Sequence, residues 1–169
     1  MTVPVQVGPS PTSGGPVPLL PPAQLRVLCL LAEGHRTGEI AGHLGVSEVT
    51  VRGHVMRIRK ALDARTTAQC IHHAHQLGLL NDLAKKLERT LLPQELQVLR
   101  MIALGYTNSQ IAATLRRSEY TVAEQVRQLR ARLGARDRGH AVALAMSSGV
   151  LKPADVQGSS LRAVIGRTA

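Results

Sequence analysis

Aromatic side chains are nearly absent from this chain, which has two tyrosines, no phenylalanine and no tryptophan in 169 residues. A core must then be built from Leu, Val, Ile and Ala, which suits small helical domains better than sandwiches that rely on β-branched and aromatic packing. Cysteine is scarce as well. Cys29 and Cys70 sit in apolar helical contexts, where small buried thiols of a reduced protein are the expectation rather than a disulfide. No apolar run approaches the roughly 20 residues needed to cross a bilayer, and the N-terminus lacks the basic region and continuous apolar stretch of a signal peptide. Acidic residues are few, 11 against 21 Lys and Arg, which leaves a net charge of +10. Such an excess on a short chain favours a polyanionic partner. There is no Gly-rich phosphate loop, no carboxylate cluster for magnesium and no nucleophile with an orienting base. The expectation is a basic, cytoplasmic protein with no membrane segment, no enzymatic activity and no cofactor.

What the chain does have is helical periodicity, and it has it twice. Residues 1–18 are dense in Pro, Gly and Ser and carry no charged side chain, so they are expected to form a disordered tail. From Leu20 a first helix is predicted, with Pro22 at its first position and Gly34 as its left-handed stop. Thr37 is expected to cap a short second helix whose Ile40, Ala41 and Leu44 point inward. Ser47, with Glu48 behind it, caps a third helix in which Val51, Val55, Ile58 and Leu62 share one apolar stripe. The opposite face carries Val49, Arg52, Gly53, Met56, Arg57 and Lys60. A fourth helix runs from Thr67 to near Gly78. Two short helices joined by a tight Gly-containing turn, the second longer and basic, form a helix-turn-helix arrangement.

Advancing 71 residues repeats the pattern without a gap: Leu20 meets Leu91, Gly34 meets Gly105, Ser47 meets Ser118 and Gly78 meets Gly149. Two copies are too few for a solenoid. The expected fold class is all-α, two tandem four-helix domains at 19–80 and 91–151, each burying its own core, with a C-terminal tail at 152–169. The linker, 81–90, has Leu83 and Leu87 four apart and would span ~15 Å as a helix or up to ~33 Å if extended. Leu161, Val164 and Ile165 are spaced for one amphipathic turn in the tail.

Each copy resembles the C-terminal DNA-binding domain of the LuxR-type (GerE-like) bacterial transcription regulators. The resemblance rests on L-x-x-A-x-G from Leu28, E-I-A-x-x-L-G-V-S from Glu39, T-V-R-x-H-V from Thr50 and G-L-L from Gly78. In the second copy it rests on V-L from Val98, A-L-G-Y-T-N from Ala103, I-A from Ile111, S-E-x-T-V from Ser118 and A-V-A-L-A from Ala141. The family implies a four-helix domain whose third helix enters the major groove of double-stranded DNA and whose fourth helix dimerises. Carried over position by position, the DNA-facing residues are Arg52, Gly53 and Met56 in the first copy, and Ala123, Glu124 and Arg127 in the second. The helical wheel independently selects the same outward face. Family members carry this domain behind a receiver or ligand-binding domain, and the residues before Leu19 are too few for one.

The candidate interface is therefore Thr37, Ser47, Val49, Thr50, Arg52, Gly53, Met56, Arg57 and Lys60 in the first copy. In the second it is Asn108, Arg116, Arg117, Ser118, Tyr120, Thr121, Ala123, Glu124, Arg127 and Arg130. Arg reads guanine bidentately or holds phosphate. Thr37, Ser47, Asn108 and Ser118 are expected as caps whose helix N-termini also lie near the phosphate backbone. Ala123 removes a cation, and Glu124 would be repelled by phosphate unless it accepts from a cytosine amino group. Arg116 replaces a turn glycine, at a cost on the order of 1 kcal/mol if that position needs positive φ. The second copy is thus expected to read DNA weakly, differently, or not at all.

The run Cys70-Ile71-His72-His73-Ala74-His75 has metal-ligand chemistry, but one helix cannot present four ligands and the second copy has none of them, so no metal is expected. The leading expectation is a nucleoid-associated transcription regulator, first copy dominant, acting as a homodimer or as an intramolecular pseudo-dimer through the fourth helices. The alternative is an interaction module that binds RNA polymerase or another regulator, motivated by fourth helices whose apolar faces lack a partner in the sequence pattern.

Overall fold

The computed structural model describes residues 20–80 and 91–156. Eight α-helices are present among them: α1 (Pro22–Ala32), α2 (Thr37–Leu44), α3 (Glu48–Ala61), α4 (Thr67–Gln76), α5 (Pro93–Ala103), α6 (Asn108–Leu115), α7 (Glu119–Leu133) and α8 (Arg138–Ser147). The expected N-terminal tail, the helical linker and the amphipathic turn at 161–165 lie outside the described residues.

Local chemistry explains most of the boundaries. Prolines occupy the first turns of α1 and α5, where a missing N–H costs nothing. Gly34 and Gly105 follow these helices with φ of +83° and +84°, the left-handed stops that glycine accommodates without a steric penalty. Ser47 accepts a hydrogen bond from Thr50 N–H at 3.1 Å, and Ser118 accepts from Thr121 N–H at 3.0 Å. Within each unit the third helix packs across the first two: α3 on α1 and α2, α7 on α5 and α6. The predicted stripe is found inside, with Val51, Ile58 and Leu62 buried and Val55 packed against them.

Two expected caps move by one residue. Thr37 and Asn108 are the first helical residues of α2 and α6, not their caps. The cap of α2 is Arg36, whose side chain cannot accept, so Glu39 instead takes the Arg36 N–H at 2.7 Å. The cap of α6 is Thr107, which accepts from Gln110 N–H while Gln110 Oε1 accepts from Thr107 N–H at 2.9 Å. The residue at the third helical position bonds back to the cap N–H in both cases, reciprocally only at α6, and this fixes the start and displaces the next hydroxyl or amide in the sequence.

The expectation of two separate cores does not hold. One apolar cluster runs from Leu20 through both units to Val156. The fourth helices, which the sequence left open between pairing with each other, pairing with a second chain and lacking a partner, pack on each other in the largest helix–helix contact of the fold, and α1 also touches α8 as α4 touches α5. Small residues allow the approach: Ala68 and Ala74 on α4, Gly139, Ala141, Ala143 and Ala145 on α8, all buried. The C-terminal tail also begins later than Lys152. A 3₁₀ turn at Pro153–Val156 packs on α5, with Val156 buried and Asp155 3.8 Å from Arg100.

Candidate nucleic-acid interface

The outward face of α3 contains the residues that the helical wheel selects. Val49 is 74% and Met56 68% exposed. Arg52, Arg57 and Lys60 are exposed, with Gly53 between them. A Cβ added at Gly53 would meet nothing within 4 Å, so packing does not demand glycine there. A glycine that the fold does not require, in the middle of a helix that it weakens, leaves room for close approach of another molecule to the backbone. Arg52 donates to Glu48 at 3.1 Å, an exposed pair one turn apart that water and salt loosen readily. Arg57 and Lys60 form no ion pair among the described residues, and neither does Arg59. Arg59 escaped the sequence reading, although its counterpart 71 residues on, Arg130, was selected; the repeat was the signal that could have found it. Ser47 and Thr50 are exposed at the N-terminus of α3, and their hydroxyls bond to each other at 2.9 Å.

α7 has the same caps and the same buried stripe but a different outer face. Tyr120 is 82% exposed, and Thr121 and Ala123 beside it are open to solvent. Glu124 receives both Arg127 Nε at 2.8 Å and Arg127 Nη2 at 2.6 Å, a fork on a carboxylate one turn away. Gln128 adds a third donor at 2.9 Å. The Arg127 bonds first, then the Gln128 amide, hold the Glu124 carboxyl down to about 2. The two other cations of α7 are committed too. Arg132 donates to Glu95 at 2.7 Å, and Arg130, half-buried, donates to the Arg136 carbonyl. The expectation that Arg130 faces outward toward phosphate therefore meets a side chain already turned onto its own unit. Asn108 is likewise engaged, its Oδ1 accepting from Arg138 at 3.0 Å.

The two turns differ as the sequence suggests. Gly45 has φ of +64°, and Arg116 holds the equivalent place at φ +52°, ψ +49°. Arg116 and Arg117 are both exposed there, ahead of Ser118. At the start of α2, half-buried Thr37 lies next to an end closed by Glu39, whose carboxylate is held ionised by the Arg36 N–H and then by Arg136. That acid makes the α2 terminus a poorer anion site than the neutral box at α6. Among the described residues no group of three or more His, Cys, Asp or Glu is placed to hold a metal ion. His72 is buried in the fourth-helix contact with neither ring nitrogen hydrogen-bonded.

A short helix, a tight turn and a second helix whose outer face is cationic and stripped of packing duties define a helix-turn-helix DNA-binding protein, here with the unit present twice. The family model for bacterial regulatory proteins of the luxR family matches residues 19–74 and again 89–145, more than half of the chain. The chain belongs to that family, a family of DNA-binding transcription regulators. Over 58 residues it is 36% identical to Transcriptional regulatory protein LiaR of Bacillus subtilis (strain 168), a stretch that takes in 34% of this chain and 28% of that protein. The chain thus matches well under a third of that relative's length. No solved structure matches the chain. No helix among the described residues is long and apolar enough to cross a membrane.

Proposed function

We propose that the protein is a sequence-specific, DNA-binding transcription regulator in which the first copy, through α3, carries most of the base reading. Its domains are 19–80 and a second unit from 91 that extends past 151 to Val156, with the nucleoid as its place of action. The observation that carries this reading is the contrast between the two third helices. Arg57, Arg59 and Lys60 on α3 are uncommitted among the described residues, around a glycine that packing does not require. On α7, Arg130 and Arg132 bond to their own unit and Arg127 is forked on Glu124, whereas the one ion pair described on α3, Arg52–Glu48, is a single contact. Val49 and Met56 flank the α3 cations and suit contact with a thymine methyl, while Arg52 is placed to read a base edge or hold phosphate.

Selection of binding sequences from random duplexes, followed by gel shifts on the winner, tests the reading. Arg57→Ala and Lys60→Ala should weaken binding on all sequences and lower the salt slope by about one each. Arg52→Ala should relax preference at one position. A selected motif bound equally well by a chain lacking all three cations would sink the role of α3.

A second reading applies to α7 alone. Tyr120, 82% exposed beside a self-neutralised Glu124–Arg127 pair, suits a protein surface such as that of RNA polymerase. Retention of purified RNA polymerase by the protein, lost in Tyr120→Ala, would support it.

A further inference from the structure

The contact between the two units has the form of a two-fold exchange. Gly34, at the end of α1, approaches α8 so closely that a Cβ there would lie 2.5 Å from His140 Nδ1. Gly105, at the end of α5, approaches α4 so closely that a Cβ would collide with the carboxamide of Gln69. Gly34 and Gly105 are equivalent positions, and so are Gln69 and His140, each pair 71 residues apart. When residue i of one unit meets residue j of the other, and the equivalent of i meets the equivalent of j, the interface is isologous, the signature of a two-fold dimer. Here both halves of that dimer belong to one chain.

The contact is not self-complementary, however. Gly139 of α8 sits under Ile71 of α4, and a Cβ at 139 would lie 2.9 Å from Ile71 Cδ1. The equivalent pair is Ala68 on α4 and Val142 on α8. Where α4 brings the longer isoleucine, α8 has glycine; where α4 has alanine, α8 brings the shorter valine. All four residues are buried, so volume matters. Pairing α4 with a second α4 would set Ile71 over Ala68 on both sides and overfill the seam. Pairing α8 with α8 would set Val142 over Gly139 twice and leave it underfilled. A charged tie at the rim is one-sided as well. Arg136 reaches Glu39 of the other unit at 3.4 Å, and the equivalent pair, Arg65 and Gln110, has no carboxylate. With only ten residues between the described units, α4 and α8 meet at an effective concentration on the order of mM.

From this geometry we infer that one chain is a complete, self-paired reader of a single asymmetric DNA element: two unlike half-sites in inverted relation, held at one fixed spacing. The inference rests on the DNA-binding reading and specifies its target. Inversion and fixed spacing follow from the two-fold relation between the units. Asymmetry follows from outer faces that differ at Val49/Tyr120, Arg52/Ala123, Gly53/Glu124, Met56/Arg127, Arg57/Gln128 and Lys60/Ala131. The α3 half carries the stronger sequence preference, and the α7 half contributes tethering through Arg116 and Arg117.

The test uses the full chain. Sedimentation of the free protein should show an 18.1 kDa monomer at all concentrations up to tens of micromolar. Sequence selection should yield a motif without two-fold symmetry, occupied by one chain in mass photometry. Inserting five base pairs between the two halves turns one away from its unit and should cost about tenfold in affinity or more. Gly139→Leu, which fills the seam, should relax that spacing preference; if it fails to fold, the insertion series on the unaltered chain still decides. A palindromic motif under two chains, or a concentration-dependent dimer of the free protein, overturns the inference while leaving DNA binding intact. Absence of any selected motif overturns the inference together with the DNA-binding reading on which it rests.

Discussion

Arg116 and Asp63 are the two described non-glycine residues with positive φ, and each has a glycine as its counterpart in the other copy. Gly45 matches Arg116 at the turn before the third helix, and Gly134 matches Asp63 at the turn after it. Arginine in this region pays a steric cost that glycine does not. Arg116→Gly should therefore raise stability by about 0.5–1 kcal/mol, read from the denaturant midpoint, while it removes one exposed cation beside the proposed DNA face. The strain at Arg116 was legible from the glycine in the other copy, and the same comparison with Gly134 was the signal that could have found Asp63. Gly53 poses the opposite test. Alanine there meets no neighbour and improves helix propensity, so Gly53→Ala should stabilise the fold by about 1 kcal/mol. If the bare backbone admits DNA closely, the same change should weaken specific binding. A variant that is more stable and binds as well as the parent would remove the functional reading of that glycine.

α3 and α7 share a serine cap and a buried stripe, and they diverge outside. The divergence is electrostatic rather than architectural, because Glu124 draws Arg127 into a fork that neutralises both. Glu124→Ala should release that cation, strengthen DNA binding at low salt and steepen the salt slope by about one, measured by titration at several ionic strengths. α4 offers a pH test. Burial first, with His73 and His75 adding to it, pushes His72 down to about 4. Unfolded, the ring titrates near 6.5, so between those values the unfolded chain binds a proton that the native chain does not. Stability should then fall as pH drops through that window, by about 1.4 kcal/mol per unit at full slope, and should be unaffected by His72 above about pH 7. His75, also lowered by burial, adds in the same direction. Replacing His72 by Leu should flatten the dependence of Tm on pH by one proton; an unchanged slope would show that His72 finds a partner in solution. Sequence alone left the histidine run open between ligand chemistry and solvated or packed side chains. Which of its members is buried was not legible, because burial on α4 is set by helices distant in the chain that pack around it.

The single apolar cluster that joins the units makes them one cooperative body despite their duplicate origin. Heating should give one unfolding transition with matching calorimetric and van't Hoff enthalpies. Gly105→Ala, which combines positive φ with a collision against Gln69, should lower stability by about 2 kcal/mol without splitting that transition. Two resolved transitions in the unaltered chain would mean that the cores are independent after all. The helices, their order, the left-handed stops at Gly34 and Gly105, the caps at Ser47 and Ser118 and the outward faces of both third helices were determined by the sequence itself, because each depends on residues within one or two turns. The shifts of the α2 and α6 caps, the fork at Glu124, the burial of His72 and the choice of α8, among the pairings the sequence left open, as the partner of α4 were decided only by the tertiary structure. Choosing among local hydrogen-bond partners, or covering an apolar face with a helix from the other copy, depends on distances that spacing along the chain does not encode.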